Sequence, residues 1–210
     1  MKILKSYILP IVILLICFGC KKKCTEYKLG ELTQYNPLNG TETVMFADSS
    51  GNEYSFIGEG RSISTYSSDY MGECYNDEVD DCYFRDSEGD YKIFIRLVST
   101  TFHDPAFIFI ELSDYRFSES WHYKSFVKFN LPFDRNNLDD NQFYFDSLLV
   151  NNTMQYDVFA GVPELDRTPT TKETLLDTVH PSMFYYNKQN GLVKVDFDDG
   201  SSWELKEIIP

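Results

Sequence analysis

The chain has 210 residues, with 33 Asp and Glu against 19 Lys and Arg and a formal charge of −14 at pH 7. Negative charge on this scale opposes recognition of a phosphate backbone, so nucleic acid is set aside as a partner. The length fits one domain with a full core, and the aromatic fraction of 16% is enough to fill it.

The first segment is built like an export signal. Lys2 and Lys5 form a basic start, Ile8 to Ile16 form an apolar run interrupted by Pro10, and Gly19 stands immediately before Cys20. The run falls short of the roughly 20 apolar residues of a spanning helix and ends in a basic cluster, so cleavage before Cys20 is expected. Cys17-Phe18-Gly19-Cys20 resembles the bacterial lipobox, although Cys17 stands where leucine is usual and Phe18 is bulky. The resemblance implies Cys20 as the lipidation site and a membrane as the first partner. Several acyl chains on one cysteine meet the requirement for stable anchoring, since each buried CH₂ adds about 0.8 kcal/mol. Lys21, Lys22 and Lys23 then lie against the head groups. Loss of residues 1–19 removes two lysines and takes the charge from −14 to −16. The expected organisation is a signal peptide at 1–19, a lipidated tether at 20–38 and a single antiparallel β-domain at 39–210.

Three cysteines remain after cleavage and lipidation: Cys24, Cys74 and Cys82. Outside the cytoplasm a Cys74–Cys82 bridge closes a small loop worth roughly 2–3 kcal/mol in the chain-entropy model. Spacing alone leaves Cys24 free to pair with either partner or with neither.

From Asn39-Gly40 onward the chain reads as short β-type runs bounded by Gly, Asn, Asp and Ser. Thr43–Asp48 and Glu53–Ile57 flank a turn at 49–52, where Gly51 supplies a positive φ. The polar, tyrosine-rich stretch from Gly60 to Cys82 shows no periodicity and is expected to be irregular. A second turn at Asp86–Asp90 joins Cys82–Phe84 to Tyr91–Val98. Further runs are Ala106–Leu112, Tyr123–Leu131, Gln142–Val150 and Gln155–Phe159. In Phe107-Ile108-Phe109-Ile110 both faces are apolar, which predicts a strand covered on two sides or the wall of an apolar cavity. Pro163–Pro181 is expected to be a loop with at most one short helix, starting near Thr170 or Thr171. The last hairpins turn at Asn190-Gly191 and Asp199-Gly200, and Val193, Val195 and Phe197 alternate with Lys194, Asp196 and Asp198. Period two of this kind predicts one buried and one wet face. The expected fold is therefore mainly β, an antiparallel, hairpin-rich sheet forming a sandwich or a partly open barrel.

No residue set commits the chain to catalysis. His103, His122 and His180 share no metal spacing, and neither GxSxG, HExxH nor a phosphate loop occurs. The acidic run Asp77–Asp81 and the loop Asp134–Asn141 are oxygen-rich, but counting from Asp134 the sixth and twelfth positions hold Asp139 and Phe145 instead of the Gly and Glu of a calcium loop. Both read as solvated acidic turns. No catalytic residue, metal ligand or cofactor is assigned. Tyr66, Tyr70 and Tyr75 lie in polar sequence as a surface for a glycan, peptide or envelope protein. Asp146-Ser147-Leu148 and Asp177-Thr178-Val179 resemble the O-glycosylation sites of Bacteroidota, which implies modification at Ser147 and Thr178.

Phe46–Phe56, Leu149–Asn152 with Tyr156–Phe159, and Tyr185–Val193 with Trp203-Glu204-Leu205, together with the lipobox, are similar to small lipoproteins of Bacteroidota. The similarity implies a β-fold in the cell envelope and brings no activity with it; Lys21 after the lipid cysteine, with no acidic run following, points to the periplasmic face of the outer membrane. The expected function is a non-enzymatic binding or interaction module for an envelope protein or glycan. The alternatives are a carrier of lipid or another apolar ligand, with Phe107 and Phe109 lining its cavity, and a hydrolase of envelope polymers.

Overall fold

The computed structural model describes residues 23–70, 72–101, 104–118, 121–166 and 179–210. The strands are β1 (Thr25–Tyr27), β2 (Thr43–Asp48), β3 (Glu53–Tyr70), β4 (Glu73–Asp86), β5 (Tyr91–Val98), β6 (Phe107–Ser118) and β7 (Trp121–Asn130). They continue with β8 (Gln142–Val150), β9 (Thr153–Gly161), β10 (Glu164–Asp166), β11 (Pro181–Asn187), β12 (Gly191–Phe197) and β13 (Ser202–Ile209). One 3-10 helix, Gly30–Tyr35, precedes β2.

All strands belong to a single sheet in the order β10-β7-β6-β5-β4-β3-β2-β13-β12-β11-β9-β8, with β1 alongside β4. Neighbours are antiparallel except β1 and β4, which run parallel. One contiguous core draws on β2 through β9 and β11 through β13, including Phe46, Phe56, Phe84, Ile95, Ile110, Phe129, Val158, Phe184 and Val195. A single sheet with one face on one core has to curl around it, and the result is a barrel left partly open. The gap falls between the β10–β7 end of the sheet and its β9–β8 end. It is bridged by the Gln142 side-chain amide, which donates to the Lys128 carbonyl at 2.8 Å, while the Val162 N–H extends the β8–β9 ladder by donating to the Asn141 carbonyl at 3.0 Å. Gly161 lets β9 press onto β7 there, because a Cβ would lie 2.4 Å from Val127 Cγ2.

The hairpin logic of the sequence holds where a strand has a core to face. Gly51 turns with φ +85°, and Val193, Val195 and Phe197 point inward while Lys194 and Asp196 stay partly exposed. Three expectations are corrected. Residues 60–82 are not irregular: they form the longest hairpin, β3 and β4 pairing continuously from Gly60–Tyr83 to Tyr70–Glu73. Its outer half runs past the core, so neither face carries the apolar alternation by which strands are recognised.

The segment from Thr25 to Leu38 is not a free tether. It pairs with β4 as β1, and Leu29 and Leu38 are buried in the core. Its folding is fixed by polar contacts that short-range patterns do not show: the Leu29 N–H donates to Glu78 Oε2 at 2.8 Å, and Tyr186 Oη donates to the Tyr35 carbonyl at 2.6 Å.

Finally, no second layer is present over Phe107–Ile110 among the described residues. Ile108 and Ile110 face the core, whereas Phe109 lies in an outer-face row with Tyr83, Phe94 and Phe126, at centroid spacings of 4.7, 6.2 and 5.1 Å. Phe107 lies beneath the Lys128 ammonium at 4.1 Å. Aromatic neighbours across strands and long aliphatic stems thus cover the second face.

Candidate functional site

Among the described residues a pocket of about 450 Å³ opens beside the 3-10 helix, lined by Tyr35, Phe133, Asp134, Arg135, Asn136, Tyr144, Asp157, Phe159 and Lys188. Four elements build it. The 3-10 helix brings Tyr35, the loop after β7 brings Phe133 to Asn136, the β8–β9 hairpin brings Tyr144, Asp157 and Phe159, and the β11–β12 turn brings Lys188. Phe133 and Phe159 stack with centroids 4.5 Å apart, Tyr35 meets Phe133 edge-on at 5.2 Å, and Tyr144 tilts against Phe159 at 5.1 Å. This aromatic floor is continuous with the core through Tyr186, 6.0 Å from Phe133.

The rim is polar and carries both signs of charge. Lys188 Nζ lies 4.8 Å from the Tyr35 ring and the Arg135 guanidinium 5.9 Å from the Tyr144 ring. Tyr144 Oη donates to Asp157 Oδ1 at 2.6 Å, and this bond to the carboxylate raises the phenol pKa. Asp157 holds φ +51°, a left-handed backbone uncommon for a side chain other than glycine, asparagine or aspartate. Asp134 is spent on its own loop, its Oδ1 accepting the Asn136 N–H at 2.9 Å. Both carboxylates at the rim are thus held by hydrogen bonds that shape the pocket.

Of the residues singled out in the sequence, Asp134 and Asn136 of the oxygen-rich loop reach this pocket; the others do not converge here. Cys20, His103 and Thr178 lie outside the described residues, and His122 is placed only by its strand, β7. His180 is half-buried, with its backbone N–H donating to Asp198 Oδ1 at 3.0 Å. Ser147 lies exposed on β8, the edge strand of the sheet. Of the three tyrosines, Tyr66 and Tyr70 are exposed, but Tyr75 is buried beside Tyr27, 6.2 Å between centroids. No group of three or more metal-type ligands occurs among the described residues.

The expected Cys74–Cys82 bridge is replaced by Cys24–Cys74. Cys74 and Cys82 sit eight residues apart on the same strand, about 26 Å at the usual rise, far beyond the reach of a disulfide. Cys24 is instead the residue before β1, whose register sets Thr25 against Tyr75 and so brings Cys24 beside Cys74. Cys82 is free and buried in the core, and burial pushes its thiol up to about 12. Such a thiol stays protonated and inert at neutral pH.

Nor is the acidic run 77–81 a solvated turn. It is β4, and the alternation of the strand sends Asp80 inward and Asp81 outward, so the two cannot share a cation. Asp80 is fully buried and receives Arg61 Nε at 2.8 Å, while Arg61 Nη1 donates to the Leu38 carbonyl at 2.7 Å. Asp81 receives Arg96 Nε and Nη2 at 2.7 and 2.8 Å. Phe159 and Lys188 fall in runs that resemble small lipoproteins but mark no site, and Phe133 in none; only their distant arrival from four elements makes a site. No known protein family matches the chain, and no match is found among characterised proteins or solved structures.

Proposed function

We propose that the chain is a lipid-anchored protein of the bacterial cell envelope, held through Cys20, whose barrel is a non-enzymatic binding module for a glycan. The observation that carries the binding assignment is the pocket of stacked Phe133 and Phe159 rimmed by Arg135, Asn136, Asp157 and Lys188. Aromatic faces accept the C–H faces of a sugar ring, and a rim of amide, carboxylate and cationic groups supplies hydrogen bonds to its hydroxyls. A hydrolase of glycosidic bonds needs one carboxylic acid free to donate and one carboxylate free to attack or activate water. Asp134 and Asp157 each accept a protein hydrogen bond through Oδ1, and the binding reading rests on the stacked aromatic floor between them. Carriage of lipid finds less support, because Phe107 and Phe109 line the outer sheet face and the interior is filled by the core.

The test is a glycan array probed with the mature protein in detergent, followed by titration of any hit. Expected is binding that Phe133→Ala weakens at least tenfold and Lys188→Ala weakens less. Failure to retain any glycan, or equal retention by Phe133→Ala, overturns the assignment. Anchoring is tested separately, by mass measurement of the amino-terminal peptide and by detergent partition of Cys20→Ala.

A further inference from the structure

The outer half of β3 and β4 is positioned by something other than the core. Tyr70 pairs with Glu73 at the end of the hairpin, Asp69 with Cys74, and β1 runs alongside with Thr25 opposite Tyr75. Three strands, β1, β4 and β3, thus leave the barrel together, and the Cys24–Cys74 disulfide staples the amino-terminal one to the hairpin near its tip. Because β1 is parallel to β4, the chain arrives at the tip and runs from there toward the barrel. The tip is therefore where the anchor segment joins the folded protein.

Distances make this restrictive. From Cys20 to Cys24 is four residues, a reach of at most about 14 Å, and the Cα atoms of Cys24 and Cys74 are 4.5 Å apart. With Cys20 lipidated, the tip of the hairpin lies within about 20 Å of the lipid-bearing residue, near enough to reach the head-group layer, which is about 5–8 Å thick on each side. The tip has surface suited to that contact. Tyr66 is 53% and Tyr70 42% exposed, and both lie on one face of β3, four residues apart, while Ile63 on the opposite face is 58% exposed. Tyrosine is the side chain that settles at the interface between apolar chains and water. Lys23 precedes the strand that enters here, Lys28 follows it and pairs with Glu26 at 3.4 Å, and Asp69 and Glu73 beside the tyrosines are charges that do not enter an acyl core.

We infer that the β1–β3–β4 extension is a disulfide-stapled stalk whose tip docks on the surface of the anchoring bilayer through Tyr66 and Tyr70, holding the barrel and its pocket away from the membrane. The inference rests on the lipidation of Cys20. Its occupant is a phospholipid surface.

The experiment reconstitutes the full mature lipoprotein in phosphatidylethanolamine–phosphatidylglycerol vesicles containing brominated phosphatidylcholine. One variant carries Tyr70→Trp at the tip and another Ser50→Trp in the exposed turn at the opposite end of β3, up to about 56 Å away along the strand. Expected is a blue shift and several-fold stronger quenching of Tyr70→Trp relative to Ser50→Trp. Adding Cys24→Ser and Cys74→Ser to Tyr70→Trp is expected to reduce the quenching while the protein still floats with the vesicles. Equal or reversed quenching in a protein that floats overturns the stalk while leaving the anchor intact. A protein that lacks acyl mass on Cys20 and does not float overturns both.

Discussion

The two halves of the β3–β4 hairpin are one pair of strands held by different physics. In the inner half Phe56, Cys82 and Phe84 are almost wholly withdrawn from water and Arg61 closes on a buried Asp80. In the outer half Ile63, Tyr66 and Tyr70 are exposed, and the pairing is kept by ladder bonds, by β1 and by Cys24–Cys74. A hairpin in water is marginal by itself. The same backbone conformation is thus a consequence of burial in one place and of a covalent staple with a third strand in the other.

The sharpest way to break the comparison is to truncate one apolar side chain in each half. Phe84→Ala is expected to lower unfolding stability by about 3–5 kcal/mol, from lost burial and the cavity left behind, whereas Ile63→Ala should stay within about 0.5 kcal/mol. Urea titration of both variants measures the difference, and a large loss at Ile63 would mean that the outer half is packed against something.

Next come the two ion pairs at the junction. Asp80→Ala strands a guanidinium that is largely enclosed and is expected to cost about 3–5 kcal/mol. Asp81→Ala leaves Arg96, whose side chain is one-third exposed, able to reach water, so about 1.5–3 kcal/mol is expected. Equal losses would show that the inward and outward faces of β4 are equivalent there.

The smallest expected effect lies in pH dependence. Burial disfavours the Glu42 carboxylate, but the N–H groups of Asn39, Glu42, Thr41 and Gly40 outweigh it and hold its pKa below the ordinary glutamate value. A depressed folded-state pKa contributes stability that is present above the unfolded value near 4.5 and disappears as pH falls through the folded one. Glu42→Gln should therefore flatten the acid side of the stability profile below pH 4.5 while lowering stability at neutral pH, as read from thermal unfolding across pH.

Strand positions were most legible where one face was to be buried. Thr43–Asp48, Tyr91–Val98 and Gln142–Val150 were readable from alternation and turn residues to their ends. β3 and β4 beyond Arg61 were not, because a stalk with two wet faces has the composition of a loop. The pocket was less legible still. Phe133 and Lys188 are 55 positions apart in the chain and no sequence pattern links them; the loop after β7 and the β11–β12 turn meet only because the barrel brings their ends together.

By itself the sequence determined a mainly β chain with its turns at Gly51, Asn190-Gly191 and Asp199-Gly200, since φ requirements and two-residue periodicity are local properties. Tertiary structure alone decided which cysteine joins Cys74, why Asp80 is buried, and where an aromatic floor opens to solvent. Each of these depends on strand register and on which strands are neighbours, and those are set by how a whole sheet curls around one core.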